Sequence, residues 1–98
     1  MNSNSFSLND IVIGQTVEYI WRVTEKQIDQ FALLSGDYNP LHVSAKYAVD
    51  NGYQDRVAHG FLFGAQLSGI IGMLLPGECS GPLILDTFQA TFSNSAIF

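Results

Sequence analysis

The first clear pattern along the chain is an alternation of apolar and polar side chains. Large apolar residues occupy every second position over residues 17–23, at Val17, Tyr19, Trp21 and Val23. A period of two places such side chains on one face of an extended chain. Residues 17–23 are therefore predicted to form a β-strand, which follows a polar lead-in over residues 1–10.

The period changes to that of a helix directly after this strand. Thr24 and Gln27 have the spacing of a capping box, in which two side chains satisfy backbone N–H groups at the start of a helix. The next apolar residues share one face of that helix: Ile28, Phe31 and Ala32. Gly36 suits the end of the helix, because glycine readily adopts the positive φ found there.

Two further helices and a second strand are predicted downstream. Ser44 suits the N-cap of a short helix over residues 45–50, and residues 60–75 suit a long one. The long helix carries no charged side chain, yet it is shorter than the roughly 20 residues that span a bilayer. It is therefore predicted to lie at the centre of a soluble fold. Alternation returns over residues 82–92, which are predicted to form the second strand.

Composition indicates one small globular domain and argues against several kinds of partner. Apolar residues make up 47% of the chain, which is too many for a disordered protein. Four basic residues against nine acidic ones give a net charge of -5. This balance argues against nucleic-acid binding and against a polybasic membrane contact. The N-terminus lacks the features of a signal peptide, so the cytoplasm is the expected location.

These elements indicate the α+β class but do not complete a sheet. An isolated pair of strands is marginally stable, and a helix that is apolar on all sides needs a sheet to cover it. The last segment, "SNSAIF", also ends on apolar residues without a closing turn. We therefore expect residues 1–98 to be an incomplete domain, which is either truncated or completes its sheet with another chain.

A candidate acid–base pair follows the end of the first helix. Asp37 and His42 lie on either side of a turn at Asn39 and Pro40. On a continuous helix the two side chains would point in different directions, but across a turn they can converge. A carboxylate beside an imidazole can serve as a general acid and base. The alternative is a structural role, which is common for both residue types near helix ends.

A second candidate lies at the start of the long helix, at His59 and Gly60. The first N–H groups of a helix have no intrahelical partner, and Gly60 has no Cβ to keep a ligand away. Its N–H could therefore bind a developing oxyanion. In an alternative reading, His59 joins Asp37 and His42 as ligands of a metal ion. We expect no metal.

Two segments together resemble the MaoC-like, (R)-specific enoyl-CoA hydratase family. The first is "FALLSGDYNPLH", which contains the pattern S-G-D-x-N-P-x-H. The second is "AHGFLFGAQLSGIIGMLLPG", with A-H-G at the head of the long helix. The likeness runs from about Leu8 to Phe98 and is to the N-terminal portion of that domain. It implies a hot-dog fold: an antiparallel sheet wrapped around a long central helix, with the later strands missing from this chain.

The resemblance also implies an activity and a catalytic pair. Asp37 and His42 would hold and activate a water molecule, whose oxygen adds at C3 of a trans-2-enoyl-CoA. The product would be an (R)-3-hydroxyacyl-CoA, and the reverse dehydration would use the same groups. The implied class of enzyme is a lyase that acts on fatty acyl thioesters of coenzyme A.

Other positions would contact or support the substrate if the resemblance holds. The Gly60 N–H would bind the thioester oxygen, and Asn39 would hold the catalytic loop in shape. His59 and Ser68 would border the substrate, although Ser68 could equally be a small packing residue. Coenzyme A would enter as part of the substrate, so no separate cofactor is expected. The resemblance further implies a homodimer.

Three alternatives remain open from the sequence. The chain could belong to a hot-dog thioesterase, or to a dehydratase that acts on acyl-carrier protein. The missing strands favour a third possibility, an inactive fragment or an assembly or binding module. The acidic composition fits poorly with polyanionic coenzyme A, and Lys46 and Arg56 are the basic residues nearest the motif that could meet its phosphates.

Overall fold

The computed structural model describes residues 5–6, 8–79 and 89–91. The chain divides into two compact units, which are described separately. The first, called the site unit below, comprises Trp21–Phe63 with Thr91–Phe98. The second unit comprises Met1–Ile20 with Gly64–Ala90.

The site unit begins with helix α1, Glu25–Ser35, and the predicted capping box is present. The Thr24 side chain accepts from the Gln27 N–H at 3.2 Å, and the Gln27 side chain accepts from the Thr24 N–H at 3.0 Å. The helix ends at Gly36, whose φ of 76° is left-handed and whose N–H donates to the Ala32 carbonyl. The prediction for both ends of this helix is confirmed.

Two short helices follow, one of which the sequence did not predict. Helix α2 is Pro40–Val43, capped by the Asn39 side chain. Helix α3 is Ala45–Asp50, with Ser44 as its predicted N-cap. The Asn39–Pro40 pair had been interpreted as a turn alone. An N-capping asparagine followed by proline in the first helical turn is, however, a normal way to begin a helix.

The core of the site unit is small and lies beneath α1 and the start of helix α4, Gly60–Met73. Ile28 on α1 is fully buried, and its burial contributes about 1.5–3 kcal/mol to folding. The other buried members of the core are Val23, Ala58 and Leu62. Trp21 and Phe63 pack against them in an edge-to-face contact, with ring centroids 5.2 Å apart.

The second unit contains the only strand pairing among the described residues. Strand β1, Ser5–Phe6, pairs with strand β2, Glu78–Cys79, in parallel. A short 3₁₀ helix, Leu8–Asp10, lies just after β1. The antiparallel sheet predicted from the sequence is thus not formed by the described residues, in which each strand is two residues long.

The strand predicted over residues 17–23 is wrong, because this segment has no regular secondary structure. Alternation describes which face of a strand is apolar, but a strand also needs a neighbour to accept its hydrogen bonds. Ile20 is 97% exposed, in keeping with a segment that is not covered by a sheet. Most of the second predicted strand, 82–88 and residue 92, lies outside the described residues, and residues 89–91 form no strand.

Helix α4 confirms the prediction of a long apolar helix but not that of a buried one. Leu62 is the buried member of this helix among its described side chains, and Phe61 is 80% exposed. The described strands are too short to wrap around it. No helix within the described residues has the length and apolarity required to cross a membrane.

Candidate active site

The loop after α1 is folded by a series of hydrogen bonds from side chains to nearby backbone groups. The Ser35 hydroxyl donates to the Phe31 carbonyl at 2.6 Å and accepts from the Asp37 N–H at 3.1 Å. Asp37 Oδ1 accepts from the Asn39 N–H at 3.1 Å, and Asn39 Oδ1 accepts from the Leu41 N–H at 3.0 Å. Such local bonds fix a turn that the backbone alone would leave loose. They leave Asp37 half-exposed at the surface.

His42 on α2 is held in one tautomer by the backbone. Its Nδ1 lies 2.7 Å from the Val57 carbonyl oxygen, which can only accept, so the neutral ring carries its proton on Nδ1. Nε2 therefore keeps its lone pair. The side chain of His42 is 16% exposed, so the ring is anchored and still reachable from solvent.

The free ends of the two side chains face each other. Asp37 Oδ2 and His42 Nε2 are 3.8 Å apart, which is too long for a direct hydrogen bond. With His42 neutral, both atoms are acceptors. A water molecule beside the line that joins them, about 2.8 Å from each atom, could donate one hydrogen to each. The predicted role of the pair in activating water stays a prediction.

His59 lies behind this pair and is 2% exposed. Its Nε2–H donates to the Asp37 carbonyl oxygen at 2.9 Å. Its ring stacks on that of His42, with centroids 4.0 Å apart and planes inclined by 26°. The edge-to-face contact with Phe31 on its other side has a centroid distance of 5.0 Å. Direct contact of His59 with a substrate stays a prediction.

The same three residues are also candidate ligands of a metal ion. Asp37, His42 and His59 each offer a ligand atom, and these atoms lie within 4.8 Å of one another. A metal ion binds imidazole nitrogen at about 2 Å, near the plane of the ring. Two stacked rings inclined by 26° do not have planes that meet near their nitrogen atoms. The two histidines stack on each other, and the absence of a metal ion stays a prediction.

Gly60 is the first residue of α4 and is exposed. An N–H at this position has no partner within its own helix and lies at the positive end of the helix dipole. A Cβ added at Gly60 would meet nothing within 4 Å. The space that a side chain at Gly60 would occupy is therefore open.

Lys46 is not brought into this arrangement, and Ser68 belongs to the other unit. Ser68 is exposed on α4 in the second unit, and its role at the site stays a prediction. Lys46 pairs with Asp50 at 2.6 Å on the surface of α3.

Arg56 has a function in the structure that the sequence did not reveal. It had been considered as a contact for coenzyme A phosphates, but it is 5% exposed. Its Nε–H donates to the His42 carbonyl oxygen at 2.6 Å. The rest of its guanidinium binds Glu25 and Asp29 on α1. The signal available in the sequence was the spacing of these two acidic residues, which places them on one face of α1.

Comparison with known proteins gives consistent matches. The family described as "MaoC like domain" matches residues 9–92. An (R)-specific enoyl-CoA hydratase from Aeromonas caviae is 32% identical over 76% of this chain and 55% of its own length. One from Rhodospirillum rubrum is 40% identical over 69% of this chain and 47% of its own length. The chain thus spans about half the length of the curated relatives it matches.

A solved structure is also similar. The unliganded R-hydratase PhaJ1 from Pseudomonas aeruginosa is 40% identical, with a TM-score of 0.65, over 70% of this chain and 44% of that one. Together these matches confirm the hot-dog fold predicted from the sequence. The antiparallel sheet that would complete this fold stays a prediction.

Proposed function

Because the chain belongs to the MaoC-like domain family, we propose that it hydrates trans-2-enoyl-CoA to (R)-3-hydroxyacyl-CoA or catalyses the reverse dehydration. The observation that supports this most is the 3.8 Å gap between Asp37 Oδ2 and His42 Nε2. Both atoms are acceptors in the resting state, and a water molecule is the simplest group that satisfies both. Its oxygen is then the nucleophile.

The pair supplies both proton transfers that the reaction needs. As the water oxygen bonds to C3, one of its protons passes to an acceptor of the pair, and the pair returns a proton to C2. The atoms of one water molecule thus end in the product. A positioned acid or base of this kind typically contributes on the order of 10²–10⁴ in rate.

The negative charge that develops on the thioester oxygen needs a donor. Gly60 is suited to this role because its N–H lies at a helix N-terminus and no side chain stands beside it. Asn39 contributes indirectly. Its N–H binds Asp37 Oδ1, and its side chain caps α2, which carries His42. Ser68 is proposed to border the acyl chain.

The remaining fold and assembly follow the family. An antiparallel sheet is proposed to cover α4, and a homodimer is proposed to complete the site. Support comes from the apolar character of α4 and from Phe61, which is 80% exposed on its first turn. Residues of this kind are normally covered by another element or chain. The organisation of residues 1–98 as part of a single domain stays a prediction.

Product analysis tests the proposed reaction against its alternatives. The purified chain is incubated with trans-2-enoyl-CoA of several chain lengths, and the products are separated by chiral chromatography. We expect the (R)-3-hydroxyacyl thioester without release of free coenzyme A. Release of the free thiol would instead favour a thioesterase. Turnover of acyl-carrier-protein thioesters alone would favour the carrier-protein dehydratase. A chain that unfolds cooperatively but turns over none of these substrates would favour a binding module.

A further inference from the structure

We propose that His59 is a positioning residue that sets the separation of Asp37 and His42 without contacting the substrate. This inference rests on the proposed function, since it assigns His59 to the same reaction. The starting observation is that one buried imidazole touches both members of the candidate pair, the backbone of Asp37 and the ring of His42.

The first contact fixes the loop that carries the carboxylate. His59 Nε2–H donates to the Asp37 carbonyl at 2.9 Å, so the backbone at Asp37 is tied to the residue that precedes α4. Asp37 has few other long-range constraints in the described structure, because its remaining hydrogen bonds are to Ser35 and Asn39 within the loop. The His59 bond therefore ties the Asp37 backbone directly to the residue before α4, beside the bonds that join His42 to Arg56 and Val57.

The second contact fixes the ring that carries the base. His59 lies flat against His42 and meets Phe31 of α1 edge-on. The ring of His42 is then bounded by a stacked neighbour on one face and tied at Nδ1 to the Val57 carbonyl. Rotation about its side-chain bonds would break one of these contacts. The position of Nε2 opposite Asp37 Oδ2 is thereby restricted.

The burial of the His59 side chain indicates that it acts through its neighbours and not by contact with a substrate. His59 is 2% exposed, so a substrate arriving from solvent meets Asp37 and Gly60 first. Its Nδ1 is buried and has no hydrogen-bond partner among the described residues. The ring therefore has a donor bonded on one side and, among the described residues, no partner at Nδ1 on the other. A misplacement of about 1 Å at a reacting group can cost on the order of 10²-fold in rate.

Two substitutions separate the effect of the His59 hydrogen bond from the effect of the volume of its side chain. His59→Leu removes the donor while leaving an apolar side chain in a buried position, and His59→Gln restores an N–H donor in nearly the place of Nε2. We expect kcat of His59→Leu to fall roughly 10–10²-fold with KM within about twofold, because the substrate contacts are unchanged. We expect His59→Gln to recover at least severalfold of that loss. Equal kcat in the two variants, or a change confined to KM, would overturn the proposal.

A measurement on the unmodified chain depends neither on the folding of the His59 variants nor on turnover of a substrate. Nitrogen-15 NMR of the histidine rings distinguishes a protonated ring nitrogen from an unprotonated one. The proposal requires neutral His59 to carry its proton on Nε2, because this atom donates to the Asp37 carbonyl. A proton on Nδ1 would overturn it. Absence of turnover by the unmodified chain would instead overturn the proposed function, and the tautomer would still decide the role of His59.

Discussion

Asp37 Oδ2 and His42 Nε2 lie 3.8 Å apart, and each side chain is held by a hydrogen bond through its other polar atom. Asp37 Oδ1 binds the Asn39 N–H, and His42 Nδ1 binds the Val57 carbonyl. The two facing atoms are therefore directed at each other by the backbone and not by a bond between them. In the proposed mechanism, the pair binds a water molecule that donates a hydrogen bond to each of these atoms.

The anchoring of His42 can be separated from its basicity by one substitution. In His42→Asn the side-chain amide takes the place of Nδ1–H and can still donate to the Val57 carbonyl, while Nε2 is lost. We expect the unfolding midpoint to change little and kcat to fall on the order of 10²–10⁴-fold. Thermal unfolding and steady-state hydration are measured on the same preparation. Near-normal turnover would remove His42 from the chemistry.

Substitution at Gly60 tests the proposed oxyanion site. A Cβ at Gly60 meets nothing within 4 Å in the free protein, so Gly60→Ala is expected to fold normally. The methyl group would crowd a thioester oxygen at the N–H, and we expect kcat to fall on the order of tenfold or more. The matched control is Gly72→Ala, which is also free of contacts and lies on the same helix.

The control has its own expected result. Replacing a glycine within a helix by alanine favours the helix by up to about 1 kcal/mol, so Gly72→Ala should raise the unfolding midpoint slightly and leave kcat unchanged. Equal kinetics for the two alanine variants and the unmodified chain would exclude Gly60 from the site.

Arg56 is expected to matter chiefly for stability. Its buried guanidinium holds the His42 carbonyl, and it also binds two acidic residues of α1. In Arg56→Met the carbonyl loses its donor, which costs about 1–3 kcal/mol. The released carboxylates of Glu25 and Asp29 are largely exposed and add little. Urea unfolding measures the loss.

An exposed ion pair supplies the comparison for Arg56. Lys46 and Asp50 pair on the surface of α3, where Lys46 is 86% exposed. Lys46→Ala should cost about 0.5 kcal/mol or less, because surface pairs are screened by water. A loss in Arg56→Met no larger than in Lys46→Ala would show that the buried guanidinium does not anchor His42.

Features that depend on contacts between residues close together in the sequence could be predicted from it. The capping box of Thr24 and Gln27 and the end of α1 at Gly36 involve neighbours in the chain, so residue type and spacing were enough. Helix α2 was missed although Asn39 and Pro40 carry a local signal for a helix start. The motif also identified Asp37 and His42, which the structure brings together.

Long-range partners could not be predicted in the same way. Arg56 binds residues of α1 far away in the sequence, and His59 reaches the Asp37 carbonyl from another element. Neither spacing nor residue type specifies such partners. The strand predicted over residues 17–23 was wrong for a related reason, since alternation carries no information on what lies beside the strand.

The most direct test of the proposed chemistry compares two substitutions of aspartate by asparagine. Asp37→Asn keeps an oxygen to accept the Asn39 N–H but removes the charge that faces His42, whereas Asp50→Asn alters only the surface pair with Lys46. The loss of conjugated-enoyl absorbance is followed with a short trans-2-enoyl-CoA. Hydration by the unmodified chain and by Asp50→Asn, with a loss on the order of 10²-fold or more in folded Asp37→Asn, is the predicted result. Undiminished hydration by Asp37→Asn would contradict the account.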